Sequence, residues 1–180
     1  AMRLAAQEWD SEWKTLIATM MSAQSRDETT IVIANALFGK YQTLNSIALA
    51  KYGDVLAIFR SLNYNRTKAT NVIACAKKLV EEHGSRVPHD FGKLIELPGV
   101  GRKTANVFLS EMGHDAIGID THAAYISQKL GWSANKSPEK IEVDLQALFP
   151  KKYWKEVNPV LVRFGKTYTS RKEKDELLEK

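Results

Sequence analysis

The segment 97–105, Leu-Pro-Gly-Val-Gly-Arg-Lys-Thr-Ala, places two glycines directly before two basic side chains. Gly99 and Gly101 have no Cβ, so a turn built on them allows another backbone to approach closely. If a helix begins after the turn, its free N–H groups and the positive end of its dipole favour a bound phosphate. Arg102 and Lys103 reinforce that charge. The residue types and their spacing therefore predict a phosphate-binding turn.

A helix is expected on each side of this turn. Asp90 is suited to cap a short helix that ends near Glu96. Apolar residues downstream recur at helical spacing, namely Ala105, Phe108, Leu109 and Met112. The unit is therefore a helix, a hairpin and a second helix over about residues 90–113. Such a turn between helices is common, so by itself it leaves nucleic-acid binding open.

The wider motif is more specific. Leu-Pro-Gly-Val-Gly-Arg-Lys-Thr-Ala-Asn at 97–106, followed by Asp-Thr-His at 120–122, closely resembles the helix-hairpin-helix (HhH-GPD) superfamily of DNA glycosylases, in its endonuclease III branch. The resemblance extends over about residues 15–170. It implies a bifunctional DNA glycosylase and abasic-site (AP) lyase of base excision repair. The implied partner is double-stranded DNA that contains damaged bases, above all oxidised pyrimidines, or abasic sites.

Two other functions stay open. One is an oxidised-purine (8-oxoguanine) glycosylase and lyase of the same superfamily, which keeps a similar lysine and aspartate. The Ser-Ala-Gln segment at 22–24 and the Asp-Thr-His segment count against that alternative. The other is a non-catalytic hairpin module that binds DNA without cleaving it.

The resemblance assigns the catalytic roles to Lys103 and Asp120. A neutral lysine amine attacks the anomeric carbon of the sugar, expels the base and leaves a Schiff base that promotes β-elimination of the 3′ phosphate. An ordinary lysine, with a pKa of about 10.4, is neutral in only roughly one molecule in two to three thousand at pH 7, so such a site must disfavour the ammonium. Asp120 accepts the amine's proton or stabilises positive charge on the sugar. The alternative is that Lys103 contacts a phosphate and Asp120 only caps the next helix.

Two further segments resemble loops that act on the base stack. Met-Ser-Ala-Gln-Ser-Arg-Asp at 21–27 matches a family segment whose glutamine enters the space left by the flipped-out nucleotide, a role that falls here to Gln24. In the segment 62–69, Leu-Asn-Tyr-Asn-Arg-Thr-Lys-Ala, Tyr64 takes the position of the family's wedge residue. An aromatic ring there stacks on exposed bases, which is worth roughly 1–3 kcal/mol per base. Asn63 replaces the family's glycine, and asparagine tolerates left-handed backbone better than most residues.

The predicted DNA contacts combine these loops with the hairpin. They are Gln24, Tyr64, Asn65, Lys68, Leu97, Gly99, Val100, Gly101, Arg102, Thr104 and His122. His122 is expected to orient or support the site rather than to catalyse. As alternatives, Gln24 caps a helix end and Tyr64 is buried with its hydroxyl bonded.

The composition favours an acidic partner. The formal net charge is +5 and the pI about 9.2, with 44% hydrophobic and 26% charged residues, which is typical of a globular chain with its own core. No apolar run of about eighteen residues and no leader peptide are visible, so no membrane association and a cytoplasmic, nucleoid-associated location are expected. A monomer is expected.

A single cysteine, Cys75, excludes a four-cysteine iron–sulfur cluster built by this chain alone. Most members of the endonuclease III branch carry such a cluster, and an ungapped alignment from Pro150 places Thr169 where its first cysteine would fall. No cofactor is therefore expected. The four histidines are dispersed, so no metal site is expected either. Without a cluster, the second domain should be held by packing alone, through Trp154, Val157, Leu161 and Phe164.

No segment shows the alternation of a strand, so the predicted fold is all-α, with two helical domains and, as the resemblance implies, a DNA-binding cleft between them. The central domain is expected over 21–130, and the second domain from 1–20 together with 131–180. Apolar spacing predicts further helices, over 9–23, 28–39, about 46–61, and downstream of Ser137-Pro138 and Asn158-Pro159, where each proline suits a first turn. The charged tail 171–180 is expected to be a solvated or fraying helix.

Overall fold

The computed structural model describes residues 2–180, which form eleven α-helices and no strand. The all-α prediction is therefore confirmed. The helices are α1 (Glu12–Ser22), α2 (Asp27–Lys40), α3 (Leu44–Ala48), α4 (Tyr52–Ile58), α5 (Asn65–His83), α6 (Phe91–Ile95), α7 (Arg102–Glu111), α8 (Thr121–Lys129), α9 (Pro138–Leu148), α10 (Trp154–Thr167) and α11 (Arg171–Leu178). Among these residues, no helix combines the length and apolar character that crossing a bilayer requires.

Contacts between Cα atoms group the described chain into two compact units. The first unit spans 3–108, and the second contains residue 2 and 109–180. Helix α1 packs against α2 and α5 in the first unit, because its apolar face is buried there. The domain division expected from the sequence, 21–130 against both termini, stays a prediction.

The first unit is built around α5, which contacts α1, α3 and α4. Its core includes the fully buried side chains Leu16, Ile17, Met21, Leu37, Ile47, Phe59, Leu79 and Leu94. Trp9 and Trp13 pack edge-on against Phe38, with ring centroids 5.1 and 5.3 Å away. Both tryptophans therefore act in packing, as the helical spacing of the apolar residues indicates.

The single helix expected over 46–61 is wrong. The chain forms α3, then α4, then a short 3₁₀ turn at Phe59–Ser61. Thr43 and Ser46 form a capping box that starts α3, so the helix begins at Leu44, before the expected start at about Ser46. The break between α3 and α4 buries both Ile47 and Val55 while Leu49 stays 75% exposed. Apolar spacing alone does not indicate such a break.

The second unit has its own core, formed by residues of α8, α9, α10 and the segment before α8. The buried members are Ile117, Ile119, Ala123, Ile126, Ile141, Leu145, Val157 and Leu161. Trp154 and Phe164 pack against them, so the expected packing set is present. Packing is not the whole of what holds this unit together, because polar contacts join its helices as well.

The helix start expected at Asn158 is wrong, because α10 begins at Trp154 and contains Pro159. A proline inside a helix deprives the carbonyl four residues earlier of its N–H partner. Here that carbonyl belongs to Lys155, and it accepts the Ser110 hydroxyl at 2.8 Å. Asn158 is buried, and its amide donates to Gly118 O at 2.8 Å. Lys155 and Asn158 therefore both make tertiary contacts, and Asn158 does not start a helix.

The charged tail forms helix α11, as expected, and it is held to α8 although most of its side chains are exposed. Asp175 on α11 accepts the Tyr125 hydroxyl at 2.5 Å and pairs with the Lys129 ammonium at 3.0 Å, both on α8. The hydrogen bonds from Tyr125 and Lys129 hold the pKa of Asp175 below its ordinary value. Leu178 packs against the second core. Helix α11 is thus held to α8 by one carboxylate with two donors and by an apolar contact.

We expect Asp175→Asn to lower the thermal unfolding midpoint at pH 7, because an amide does not pair with the Lys129 charge. The folded-state pKa of Asp175 is depressed, so its contribution is present above the unfolded value of about 4 and is lost as the pH falls through the folded value. The difference between wild type and variant should shrink on acidification, followed by circular dichroism.

The matched control is Glu176→Gln on the same helix, where the carboxylate pairs with Lys172 of that helix at 4.0 Å. This exposed pair should contribute little. Equal losses in the two variants would contradict docking through Asp175.

Candidate active site

The expected helix, hairpin and helix are present, and buried apolar side chains anchor the turn. The Asp90 carboxylate accepts the Lys93 N–H at 2.9 Å and so caps α6. Leu97 and Val100 are only 2% and 5% exposed, and the Val100 N–H donates to Leu97 O at 3.1 Å. The two glycines are exposed. A ligand that reaches this turn would therefore meet its backbone, not the side chains of Leu97 and Val100.

The first glycine of the hairpin is required for two reasons. Gly99 has a φ of +75°, in the left-handed region. A Cβ there would also lie 2.6 Å from Asn71 Cβ, so the hairpin backbone packs directly on α5. Gly101 differs, since a Cβ at its position would meet nothing within 4 Å. Only Gly99 is needed for the close packing.

Lys103 is the second residue of α7 and is half-buried. The first turn of a helix is a place where a positive charge is disfavoured. The structure also brings Lys103 near Lys68: burial, and then the charge of Lys103, lower the pKa of Lys68 to about 8. No sequence pattern indicates this pairing of lysines, because they belong to different helices.

The neighbours of Lys103 differ in exposure. Arg102 is exposed, and its guanidinium carbon lies 4.9 Å from the centroid of the Phe91 ring. Thr104 is only 7% exposed. Arg102 is therefore accessible to a phosphate, whereas a contact at Thr104 would involve its backbone.

Both residues expected to act on the base stack lie on left-handed backbone. The φ angles are 51° at Gln24 and 55° at Tyr64, and such conformations cost a non-glycine residue about 1–3 kcal/mol. Tyr64 is 65% exposed and Gln24 is exposed, so the alternative of a buried tyrosine is wrong. Gln24 caps neither adjacent helix, so that alternative is wrong too. The left-handed residue of the second loop is Tyr64, not Asn63; Asn65, which follows, donates to Arg60 O at 3.3 Å.

Asn63 and Lys68 join the loop around Gln24 to the start of α5. The Asn63 amide donates to Gln24 O at 2.5 Å, and its backbone N–H donates to Ser25 Oγ at 3.2 Å. The Lys68 ammonium donates to Ala23 O at 2.6 Å and to Ser25 Oγ at 3.0 Å. Lys68 is only 8% exposed. Its amine, expected from the sequence to contact DNA, thus bonds to the protein itself.

Asp120, in the second unit, caps α8. Its Oδ1 accepts the Ala123 N–H at 2.8 Å, and the residue is half-buried. The helix cap that the sequence offered at Asp120 is therefore present, and whether Asp120 has a further role stays a prediction. The preceding segment 116–119 is buried, and Asn158 bonds to Gly118 O within it. This contact was missed from the sequence, where Asn158 before a proline indicates a helix start.

The His122 ring packs against the backbone of α10 at Gly165. A Cβ at Gly165 would overlap the His122 ring, so the glycine leaves the space that the imidazole occupies. His122 is half-buried. A DNA contact by His122 stays a prediction.

The residues present do not fit a metal or an iron–sulfur cluster. Within 2–180, no three His, Cys, Asp or Glu side chains are grouped so as to hold a metal ion. Cys75 is buried in α5, and desolvation raises the pKa of its thiol to about 12. A thiol that stays protonated is a poor metal ligand. One such thiol does not make the four-cysteine site of the endonuclease III branch.

Comparison with known proteins decides the family. Residues 17–151 match the profile described as HhH-GPD superfamily base excision DNA repair protein. The chain belongs to this superfamily. Endonuclease III of Thermotoga maritima is 37% identical over 155 residues, covering 86% of this chain and 73% of that protein. Endonuclease III of Synechocystis sp. is 35% identical over 153 residues, covering 84% of this chain and 70% of that protein.

A solved structure agrees with these relatives. It is a trapped endonuclease III–DNA covalent intermediate, an estranged-adenine complex, with a TM-score of 0.87 and 31% identity over 92% of this chain and 78% of that chain. The resemblance drawn from the hairpin and the Asp-Thr-His segment is thus confirmed. So is the enzyme class, a base-excision-repair DNA glycosylase and AP lyase. The roles of individual residues stay predictions.

Gly99→Ala should destabilise the hairpin, because the methyl group would overlap Asn71 and alanine is strained at positive φ. We expect the free energy of unfolding in urea to fall by about 1–3 kcal/mol. Gly101→Ala is the matched control, since its methyl group enters open space, and it should cost only about 0.5 kcal/mol. Similar losses in both variants would show that the approach to Asn71 does not decide the stability of the turn.

Proposed function

We propose that this chain removes oxidised pyrimidines from duplex DNA and then nicks the strand through a Schiff base on Lys103. The observation that carries the proposal is a half-buried lysine in the first turn of α7, directly after the hairpin, in a chain of this superfamily. The first turn of a helix is an unfavourable place for a positive charge, and the structure places Lys68 near this lysine. The related endonuclease III that was trapped as a covalent intermediate with DNA supports a covalent step.

The chemistry proceeds in balanced steps. Lys103 Nζ bonds to C1′ as the glycosidic bond breaks, and the base leaves with the bonding electrons and takes up a proton. Asp120 is the proposed acceptor of the proton that the amine loses. The C1′–O4′ bond then opens, the nitrogen lone pair forms the iminium, and O4′ is protonated. Loss of a C2′ proton expels the 3′ phosphate, and hydrolysis of the iminium restores the lysine.

The proposed DNA contacts follow from exposure. The backbone of the turn at 99–101 and the N–H groups that start α7 would bind a strand phosphate, together with Arg102. Gln24 and Tyr64, both exposed, would fill the gap left by the extruded nucleotide. The net charge of +5 supports an acidic partner of this kind.

Three further features belong to the proposal. The reaction requires no resident cofactor, because its nucleophile and base are side chains and Cys75 does not fit a cluster. A monomer suffices, because all the proposed roles lie on one chain. The protein acts at the nucleoid, where duplex DNA is found.

Borohydride trapping tests the nucleophile and the base class together. Wild type should form covalent adducts on a duplex with an abasic site and on a duplex with thymine glycol. Lys103→Ala should form neither adduct, because without the lysine amine no iminium joins the protein to the sugar, and borohydride then has no covalent link to make permanent. Lys93→Ala is the matched control, because it removes an exposed lysine of the neighbouring helix α6, and it should behave as wild type.

The other outcomes separate the alternatives. An adduct on the abasic duplex alone would keep the lyase and overturn the pyrimidine assignment. Base release with an uncut strand would indicate a monofunctional glycosylase. Binding with neither product would indicate the non-catalytic module, and adducts that persist in Lys103→Ala would place the nucleophile elsewhere.

Asp120→Asn separates catalysis from capping. Asparagine caps a helix about as well as aspartate, so the thermal unfolding midpoint should hardly change. Single-turnover base release should slow by about 100-fold or more, because the amide does not accept the proton. An unchanged rate would mean that Asp120 acts only as the cap of α8. Asp120→Ala removes both roles and should also cost about 1 kcal/mol of unfolding free energy.

A further inference from the structure

Gln24 and Tyr64 lie in separate loops, yet hydrogen bonds join the two loops across the sequence. The donors belong to Asn63 and Lys68, and the acceptors lie at 23–25. The residues paired in this way are 38 to 45 positions apart. We refer to Ser25, Asn63 and Lys68 together as the clasp.

The clasp holds the Gln24 loop at three successive residues. The carbonyls of Ala23 and Gln24 are each taken by one donor, from Lys68 and Asn63 respectively. The Ser25 hydroxyl receives two donors, the Lys68 ammonium and the Asn63 backbone N–H. These bonds fix the backbone around Gln24 while leaving its side chain exposed.

Lys68 also holds the other loop. Its backbone N–H donates to Tyr64 O at 2.9 Å, which is the first helical hydrogen bond of α5. Its side chain, only 8% exposed, reaches the Gln24 loop. Lys68 therefore bonds to the backbone of Tyr64 in one loop and to the residues on both sides of Gln24 in the other. Burial of an ammonium is unfavourable without such partners, and burial accordingly lowers the pKa of Lys68 to about 8.

We propose that Ser25, Asn63 and Lys68 are positioning residues that hold Gln24 and Tyr64 as a single preformed two-pronged wedge. This inference rests on the proposed function, in which both side chains enter the base stack. Each lies on left-handed backbone that would relax without support. Because the clasp orders both loops before DNA arrives, binding does not have to order them.

The clasp matters for one step and not for another. Extruding a stacked, damaged base requires the side chains of Gln24 and Tyr64 to enter the duplex together. Cleavage at an abasic site that is already formed needs no base to be extruded. The ratio of base excision to abasic-site cleavage therefore reports the wedge, whereas a general loss of folded protein lowers both rates alike.

The test compares single-turnover excision of thymine glycol with cleavage of a preformed abasic site. Ser25→Ala and Asn63→Ala should each lower the ratio of the two rates about tenfold. Neither substitution changes a charge near Lys103, so the chemistry at the lysine is left as it is in wild type. Thr70→Ala is the matched control: its hydroxyl, on the exposed side of α5, donates to the Arg66 carbonyl at 3.1 Å, and the ratio should stay at the wild-type value.

A double variant tests whether the clasp acts through the wedge. Tyr64→Ala removes one prong, so adding Asn63→Ala should lower excision less than it does in the wild-type background. Full additivity would overturn the coupling. A ratio that stays at the wild-type value in both clasp variants would overturn the proposal, since their only effect would then be structural.

A measurement without chemistry keeps the two proposals distinguishable. The probe is a duplex with 2-aminopurine opposite a tetrahydrofuran abasic analogue. Saturating wild type should change its fluorescence, and Asn63→Ala should give a smaller change. An equal change would overturn the clasp. Absence of lyase activity in wild type would overturn the proposed function instead, and the fluorescence result would still decide the clasp.

Discussion

The close approach of the hairpin backbone to helix α5, at Gly99 and Asn71, is the contact on which the candidate site depends. It sets the start of α7, and therefore Lys103, relative to α5. Lys68 and Asn71 are three positions apart in that helix and share one of its faces, and Tyr64 directly precedes its first residue. Helix α5 thus carries the buried ammonium and the support of the hairpin, and the exposed ring lies at its start.

The candidate site contains backbone and side-chain features that are unfavourable when taken one by one. Two exposed residues, Gln24 and Tyr64, adopt left-handed backbone without being glycine, and one ammonium is buried. Each of these features is unfavourable in isolation. Hydrogen bonds from Asn63 and Lys68 to the loop at 23–25 offset them. Irregular features that are held in place by several partners are typical of functional sites.

In the second unit, too, hydrogen bonds between separate elements hold the backbone around Asp120 in place. Pro159 interrupts the hydrogen bonding of α10, and the carbonyl left over accepts the Ser110 hydroxyl. Asn158, buried beside it, bonds to the chain shortly before Asp120. Helix α11 is then held to α8 through the Asp175 carboxylate. Polar contacts between helices therefore add to the apolar core, which by itself was expected to hold this unit.

Much of the protein could be determined from the sequence alone, because some patterns act locally. Helical spacing, the cap at Asp90 and the turn that the glycines allow depend on neighbouring residues, and the specific letters of the motif led to the superfamily. The break between α3 and α4, the proline inside α10 and the docking of α11 were decided by tertiary structure. Tertiary structure also decided the burial of Lys68, because a charged side chain is expected at the surface unless hydrogen-bond partners such as Ala23 and Ser25 lie beside it. A hydrogen bond between residues some forty positions apart leaves no periodic trace in the sequence, and only the folded chain brings its donor and acceptor together.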